Sequence, residues 1–327
     1  MNRPATFRML PPECYDHIVG FLRYKDLVRV SMTSVDTWMA YFRVQSRLEG
    51  LRAKNVRSRR RRRALFAQLR VSTGLKILSL VNVQHPCTSV LFRQVSGMHG
   101  LQELDLSANG LKGPLPLSIG DDLPLLRVLS LSNNGLTGTL PPGWGKLHRL
   151  EDLKLSFNSL QGSIPDSWAG MISLRHISLS YNQLSGPVPS FFSTLRDLET
   201  LLLGGNRFTG VLPPSLGALS HINSLYLFQN ELEGPIPDSL GSCVALQKLL
   251  LSHNKLTGKL PSSLGRLESL KELSVSGNEL EGELPHALEK LEKLQTLDLA
   301  DNRFAADAPR SRQVIRVMRT RDCQIYM

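Results

Sequence analysis

The sequence has little of what defines several protein classes. It holds four cysteines in 327 residues, only 6% of it is aromatic, and no apolar run approaches the roughly 18 residues of a membrane-spanning helix. The cysteines lie far apart, without the CxxC spacing of a zinc site or the density of a disulfide framework. We therefore expect reduced cysteines, no metal site and no transmembrane helix.

Targeting and catalytic motifs are missing as well. The first thirty residues lack the basic head, apolar core and cleavage site of a secretory signal, and there is no Asn-x-Ser/Thr sequence. There is no GxSxG, Walker loop, GxGxxG or kinase element, and the eight histidines are not paired at metal-ligand spacing. These absences predict a cytoplasmic or nuclear protein with no catalytic, cofactor-binding or metal-binding residues.

Positive charge is concentrated at the two ends of the chain. The net charge of +11 divides into +11 for residues 1–74, −3 for residues 75–305 and +3 for residues 306–327. The densest basic run consists of Arg57, Arg59, Arg60, Arg61, Arg62 and Arg63. It is typical of a nuclear import signal or of a solvated linker, and nucleic-acid binding is less favoured because no aromatic residues that could stack on bases are interleaved with it.

A repeat dominates the sequence from Leu101 onward. The pattern LxxLxLxxN recurs nine times, with a first step of 25 residues and later steps of 24. After every asparagine but the last, the chain continues with Gly-x-(Leu/Ile/Val)-Pro. The repeating asparagines are Asn109, Asn134, Asn158, Asn182, Asn206, Asn230, Asn254, Asn278 and Asn302.

This pattern resembles the leucine-rich repeat family, in its plant-type 24-residue subclass. Alternating leucines predict a short strand in each coil, and stacked coils bury a leucine core beneath a parallel strand ladder. The asparagine amide is suited to satisfying backbone groups where the chain leaves the strand. We therefore expect an α/β solenoid of nine to ten coils over residues 75–305, with a concave strand face and a degenerate first repeat in which Val83 replaces the asparagine.

The segment before the repeats has a different pattern. Residues 1–45 contain LPPECYDHIVGFLRYKDL followed by Ser34 and Trp38, with apolar spacings typical of short helices. This stretch resembles an F-box, and the resemblance implies that Leu10, Pro11, Ile18, Leu22 and Leu27 contact a Skp-type adaptor. Residues 46–74 form a basic linker, and the arginine-rich residues 306–327 form a tail, which is suited to a short amphipathic helix capping the last coil.

The resemblances imply a substrate receptor of a Skp/cullin/F-box ubiquitin ligase, with the adaptor and cullin at the N-terminal box and a protein substrate on the repeats. Two alternatives stay open. In one, the chain is an intracellular scaffold or signalling binder whose N-terminal helices only cap the solenoid. In the other, it is a receptor-like ligand-recognition ectodomain with a misassigned N-terminus. A membrane is not among the expected partners.

The outward positions of the middle coils suggest where a partner binds. Aromatic and apolar residues occur there although the core does not require them, between Lys154 and Lys248, with Gly204 and Gly205 leaving a gap. Acidic Asp105 and Asp298 lie toward the ends. Such a strip is typical of binding hot spots, although scattered exposed apolar residues are also common on any surface. The predicted partner-binding residues are Phe157, Tyr181, Leu202, Tyr226, Phe228, Leu250 and His253.

Overall fold

The structure, a computed structural model, describes residues 50–54, 74–83 and 88–327. Short strands, numbered along the chain, form one long parallel ladder of twelve strands in these residues, with each strand beside the equivalent strand of the next coil. This main ladder is the strand face that the leucine pattern predicts. Its members are β1 (Gly50–Lys54), β2 (Ile77–Val81), β3 (Glu103–Asp105), β5 (Val128–Ser130), β7 (Asp152–Lys154), β9 (His176–Ser178), β11 (Thr200–Leu202), β13 (Ser224–Tyr226), β15 (Lys248–Leu250), β17 (Glu272–Ser274), β19 (Thr296–Asp298) and β21 (Gln324–Tyr326).

A second ladder, which the repeat pattern did not predict, runs along the side of the solenoid. The residues that follow the repeated asparagines form a second short parallel strand in each coil from Asn109 to Asn302. In the described residues this ladder has nine strands. They are β4 (Lys112–Pro114), β6 (Gly135–Thr139), β8 (Ser159–Gly162), β10 (Gln183–Pro187), β12 (Arg207–Val211), β14 (Glu231–Gly234), β16 (Lys255–Gly258), β18 (Glu279–Gly282) and β20 (Arg303–Phe304).

Short helices form the convex side. Seven coils carry a 3₁₀ helix that begins directly after the repeat's proline, whose extended backbone suits the turn into the helix. The 3₁₀ helices span Pro142–Lys146, Asp166–Gly170, Ser190–Thr194, Pro214–Ala218, Asp238–Ser242, Ser262–Arg266 and His286–Lys290. The α-helices of the described residues are α1 (Thr88–Ser96), α2 (Ile119–Asp122) and α3 (Pro309–Arg319).

The helix α2 explains how the one 25-residue step fits among the 24-residue steps. The N–H groups of Asp122 and Leu123 donate to the carbonyl oxygens of Ser118 and Ile119, at 2.8 and 3.0 Å, which is α-helical spacing. An α-helix rises about 1.5 Å per residue, whereas a 3₁₀ helix rises about 2.0 Å. Because the α-helix advances less per residue, this coil accommodates one extra residue while the strands on either side keep their register.

The leucines of the repeats form one continuous core between the two ladders and the convex helices. In the strands, buried and outward-facing residues alternate, so that Leu153, Ile177, Leu201 and Leu225 are almost fully buried. On the convex side Gly145 has no room for a side chain, because a Cβ there would lie 2.1 Å from the carbonyl oxygen of the next coil. The coils therefore pack closely on both sides.

The repeated asparagine connects each coil to the one before it. The Nδ2 group of Asn182 donates to the carbonyl oxygens of Leu155 and Leu179, at 3.1 and 3.0 Å, and its Oδ1 accepts from the N–H of Leu160, at 3.1 Å. The same bridging pattern extends to Asn302. These bonds confirm the role predicted for the asparagine, because they satisfy buried backbone groups at the turn that leaves each strand.

Both ends of the main ladder extend beyond the predicted solenoid of residues 75–305. The strand β1 lies within the segment interpreted as a basic linker and pairs in parallel with β2. At the other end α3 buries Val314 and Met318 against the last coil, and β21 pairs with β19. Residues 1–49 and the arginine run 57–63, with the predicted adaptor contacts and import signal, lie outside the described residues.

Candidate functional site

The candidate site lies on the concave face, where the outward residues of the main ladder form columns running from coil to coil. One column contains the last residue of each strand. The strand register places Leu202 beside Tyr226 and Tyr226 beside Leu250, and all three side chains are partly exposed. Three neighbouring coils therefore present an apolar row, as predicted.

A second column lies just before the repeated asparagines, at the turn that leaves each strand. Phe157, Tyr181 and His253 occupy it with positive φ values of 59°, 55° and 55°. The equivalent position also has a positive φ in the other coils, where it is occupied by Ala108, Asn133, Gly205, Gln229, Gly277 and Asp301. The left-handed region costs a side chain with a Cβ roughly 1 kcal/mol, so the backbone alone favours glycine or asparagine here. The aromatic rings are thus present despite the local conformational preference.

Four of the predicted residues form one aromatic cluster, comprising Phe157, Tyr181, Phe228 and Tyr226. The rings of Phe157 and Tyr181 stack, with centroids 4.7 Å apart and planes 16° from parallel. Tyr181 meets Phe228 edge-on at 6.0 Å, and Phe228 lies 6.3 Å from Tyr226. Phe157 is 51% exposed and Tyr181 is 43% exposed. The result is a solvent-accessible apolar surface spanning several coils.

The gap predicted at Gly204 and Gly205 is absent from the structure, because neighbouring rings fill it. A Cβ on Gly204 would lie 2.6 Å from the Phe228 ring, and a Cβ on Gly205 would lie 2.7 Å from the Tyr181 ring. The missing side chains of the two glycines therefore leave the space that the rings of Tyr181 and Phe228 occupy. The prediction of a dent was wrong because it considered the glycines without the side chains that lean over them.

His253 and the flanking lysines complete the strip. The His253 ring lies over Gly277, whose hypothetical Cβ would be 2.6 Å from the histidine Nδ1. Lys154 forms an ion pair with Asp152 at 2.5 Å, and Lys248 forms one with Glu272 at 3.1 Å. The hydrogen bond to Glu272, reinforced by Tyr226, raises the pKa of Lys248. Each lysine therefore lies beside the cluster with an acidic neighbour.

The acidic residues toward the two ends take part in local hydrogen bonds. Asp298 accepts from the hydroxyls of Ser274 and Ser276, at 3.0 and 2.6 Å, and Asp105 accepts from the hydroxyl of Ser107 at 2.6 Å. These carboxylates therefore accept hydrogen bonds from serine hydroxyls of the concave face itself. The apolar strip between them remains the best-supported site on this face.

Three further features of the described residues bear on other kinds of site. Across residues 50–54, 74–83 and 88–327, no three His, Cys, Asp or Glu side chains converge as a metal site. No helix in this part of the chain has the length and apolarity needed to cross a bilayer. Cys243 and Cys323 are buried free thiols, and burial raises the pKa of Cys243 to about 11. Neither thiol belongs to the aromatic cluster.

One outward aromatic residue, at the C-terminal end, was not predicted from the sequence. Tyr326 continues the column of Tyr226, because β21 adds one more strand to the main ladder, and the residue is 53% exposed. The tail segment Cys323–Tyr326 contains Ile325 in place of a repeat leucine and lacks the rest of the pattern. Alternation across Cys323 and Ile325 was the only available indication of a strand.

Two family models, both describing the leucine rich repeat, match the chain. One matches residues 124–184 and 244–304, and the other matches residues 100–121, 197–219 and 221–243. Together the matches cover more than half of the chain, which therefore belongs to the leucine-rich repeat proteins. No curated protein sequence gives a significant match.

Several solved structures share this fold. A plant peptide hormone receptor, RGFR1 in complex with RGF2, is 28% identical with a TM-score of 0.70, over 81% of this chain and 42% of that chain. The ectodomain of the Arabidopsis receptor kinase HAESA, in complex with an extended IDA peptide hormone, is 34% identical with a TM-score of 0.67, over 73% and 40%. A plant ice-binding protein is 30% identical with a TM-score of 0.57, over 64% and 67%. This chain thus spans less than half the length of both receptor chains.

Proposed function

We propose that this chain is a non-catalytic recognition module that binds an extended protein or peptide segment along its concave face. The observation that carries the proposal is the four-ring cluster of Phe157, Tyr181, Phe228 and Tyr226. Partly exposed aromatic rings are the commonest anchors of binding hot spots. The row of Leu202, Tyr226 and Leu250 extends the apolar surface beside it.

The dimensions of the cluster favour an extended ligand. It reaches from the coil of Phe157 to the coil of Phe228, three steps along the ladder. At about 4.8 Å per strand this is about 14 Å, the length of four to five extended residues. The two receptor structures described above contain peptide hormones, which supports the same class of ligand here.

The test uses replacements that the chain itself carries at equivalent positions. Asn133 occupies the position of Phe157 and Tyr181, and serines occupy the positions of Tyr226 and Phe228 in other coils. The variant Phe157→Asn/Tyr181→Asn/Tyr226→Ser/Phe228→Ser should therefore fold while losing the cluster.

Random peptides displayed on phage would be selected on the full chain and measured by fluorescence anisotropy. Peptides should be enriched and should bind the four-residue variant at least about tenfold more weakly, because each buried aromatic anchor contributes 1 kcal/mol or more. The control Ile172→Ser/Val244→Ser removes two exposed apolar side chains next to the convex helices and should retain binding. Failure to enrich any peptide, or equal binding by both variants, would contradict the proposal.

We propose further that the N-terminal segment connects this module to a ubiquitin ligase in the cytoplasm or nucleus. The support is the F-box-like spacing of Leu10, Pro11, Ile18, Leu22 and Leu27. A purified Skp-type adaptor and cullin should bind the full chain and should not bind the Leu10→Ala/Pro11→Ala variant. The concave four-residue variant serves as a control and should still bind the adaptor. If the full chain fails to bind the adaptor, the segment is a cap.

The similarity to receptor ectodomains supports a second candidate, an extracellular ligand-recognition role. Both receptor structures share the repeat architecture over most of this chain. The two candidates differ in compartment, so fractionation of the native protein distinguishes them. Recovery from the secreted or cell-surface fraction supports the receptor-like role, and recovery from the cytosol or nucleus supports the ligase role.

A further inference from the structure

The apolar strip of the concave face is neutral, although the chain as a whole carries a net charge of +11. The strip occupies the outward-facing parts of five neighbouring coils, residues 151–158, 175–182, 199–206, 223–230 and 247–254. These five segments contain three acidic and three basic residues, with histidine counted as neutral. The six residues are Glu151, Asp152, Glu199, Lys154, Arg175 and Lys248.

Each of these six charged residues has an oppositely charged partner. Both carboxylate oxygens of Glu151 accept from Arg127 in the preceding coil, from Nε and Nη2 at 2.9 Å each. Arg175 pairs with Glu199 in the next coil at 3.1 Å. Three of the four ion pairs therefore join neighbouring coils across the face. The pairs are Arg127–Glu151, Asp152–Lys154, Arg175–Glu199 and Lys248–Glu272.

This pairing belongs to the strip and not to the whole concave face. In the two coils that follow the strip, Lys271 and Asp301 are exposed. Within the described part of the chain, neither of them lies within 4 Å of an oppositely charged side chain. Unpaired charge is therefore available to a ligand beyond the strip, whereas the charges on the strip are already satisfied.

A charged ligand side chain would lose water on the strip without gaining a free counter-ion. Removal of a charge from water is unfavourable unless the charge is paired. Each ion pair presents both signs side by side, so that attraction to one member is largely offset by repulsion from the other. A ligand cation could still contact the ring faces, but Phe157 and Tyr181 each have one face covered by their stacking. Uncharged aromatic or aliphatic side chains gain ring contacts without this penalty.

We propose that the protein segment bound on the strip is uncharged and directs aromatic or aliphatic side chains toward the ring cluster. This inference rests on the recognition role proposed above and specifies the chemistry of its ligand. Charged residues of the partner lie outside the stretch that covers the five coils. The ion pairs thereby give the strip selectivity against acidic sequences, which the basic ends of the chain would otherwise attract.

Phage display with a random peptide library tests the charge of the ligand. Selections run in parallel on the full chain and on Phe157→Asn/Tyr181→Asn/Tyr226→Ser/Phe228→Ser, and peptides enriched on both are discarded because they bind elsewhere. Alanine scanning of the remaining peptides identifies the positions that contact the strip. At these positions Asp, Glu, Lys and Arg should be at least about threefold rarer than in the starting library. Raising NaCl from about 0.05 to about 0.5 M should change the affinity by less than about twofold.

A second measurement exposes one charge of the strip. Glu272→Gln removes the anionic partner of Lys248 and keeps an oxygen that accepts its hydrogen bond. Each contact residue of a selected peptide is replaced in turn by glutamate, and binding is measured by fluorescence anisotropy. Binding to the parent should weaken about tenfold, and at one position the loss should be at least about threefold smaller with Glu272→Gln. The control Glu281→Gln makes the same change of charge at an exposed residue of β18 and should behave like the parent.

The possible failures of this inference and of the recognition role are distinguishable. Enrichment of charged residues at the contact positions would overturn the inference. An affinity that falls more than twofold in high salt, or equal glutamate losses with Glu272→Gln and Glu281→Gln, would also overturn it. In these cases the peptides would still depend on the aromatic cluster, so the recognition role would stand. If no peptide distinguishes the parent from the four-residue variant, the recognition role fails and this inference fails with it.

Discussion

The asparagine ladder allows a quantitative prediction at Asn206. Its Nδ2 group donates to the carbonyl oxygens of Leu179 and Leu203, at 3.0 and 2.9 Å, and its Oδ1 accepts from the N–H of Leu184, at 3.1 Å. The side chain is 8% exposed. Replacing Asn206 with alanine leaves three buried backbone groups without their partner, at about 1–3 kcal/mol each if water does not reach them. Allowing for partial hydration, we expect a loss of about 3–5 kcal/mol.

Urea unfolding followed by far-UV circular dichroism measures this loss. Asn206→Asp should be no more stable than Asn206→Ala, because a carboxylate accepts from Leu184 but cannot donate to the two carbonyls. Asn133→Gly is the matched control: Asn133 is exposed at φ 57°, where glycine is comfortable, so its stability should change by less than about 0.5 kcal/mol. If the free energy of unfolding of Asn206→Ala lies within about 1 kcal/mol of the parent value, the asparagine hydrogen bonds contribute less than their geometry implies.

Three further predictions concern the concave face, a buried thiol and the convex side. Gly204→Ser should displace the Phe228 ring and reduce the near-UV circular dichroism of the cluster, because the new Cβ would lie 2.6 Å from that ring; an unchanged near-UV spectrum would refute this. Cys243 should resist alkylation at pH 8 in the folded protein and react once unfolded, because burial raises its pKa to about 11; stability should also fall as pH rises from about 9 toward 11, because only the unfolded thiol ionises readily there. Trp168→Phe should lower the unfolding free energy by about 1–2 kcal/mol through loss of the indole hydrogen bond to Pro141, at 3.0 Å, and an unchanged urea midpoint would contradict that.

The repeat pattern was sufficient to predict the main ladder and the leucine core. Residues such as Leu153 and Leu201 recur at a fixed period, and each coil packs against its neighbours through equivalent residues. The role of the asparagine could be predicted for the same reason, because one amide faces equivalent backbone groups in every coil. The repeat period therefore predicts those interactions that recur in every coil, namely the strand pairing, the leucine core and the asparagine hydrogen bonds.

The remaining features depend on interactions that are not periodic in the sequence. The strand β21 lacks the repeat motif. It pairs with β19, with Ile325 beside Leu297, so this strand depends on contact with the preceding coil. The seating of Phe228 over Gly204 joins residues in adjacent coils, and neither residue alone indicates the contact. All four residues of the aromatic cluster were among the residues predicted from the sequence, but their ring contacts could not be predicted because they depend on which side chains lie close together in space.

The arrangement of the aromatic cluster has a consequence for cooperativity. Each coil of the solenoid contacts mainly its immediate neighbours, so separate groups of coils can open locally while the rest stay folded. Phe157, Tyr181 and Phe228 lie in three different coils, joined by ring contacts on the surface. A ligand lying across them would have to be released before any of these coils could open, so ligand binding would join the middle coils into one cooperative unit of unfolding.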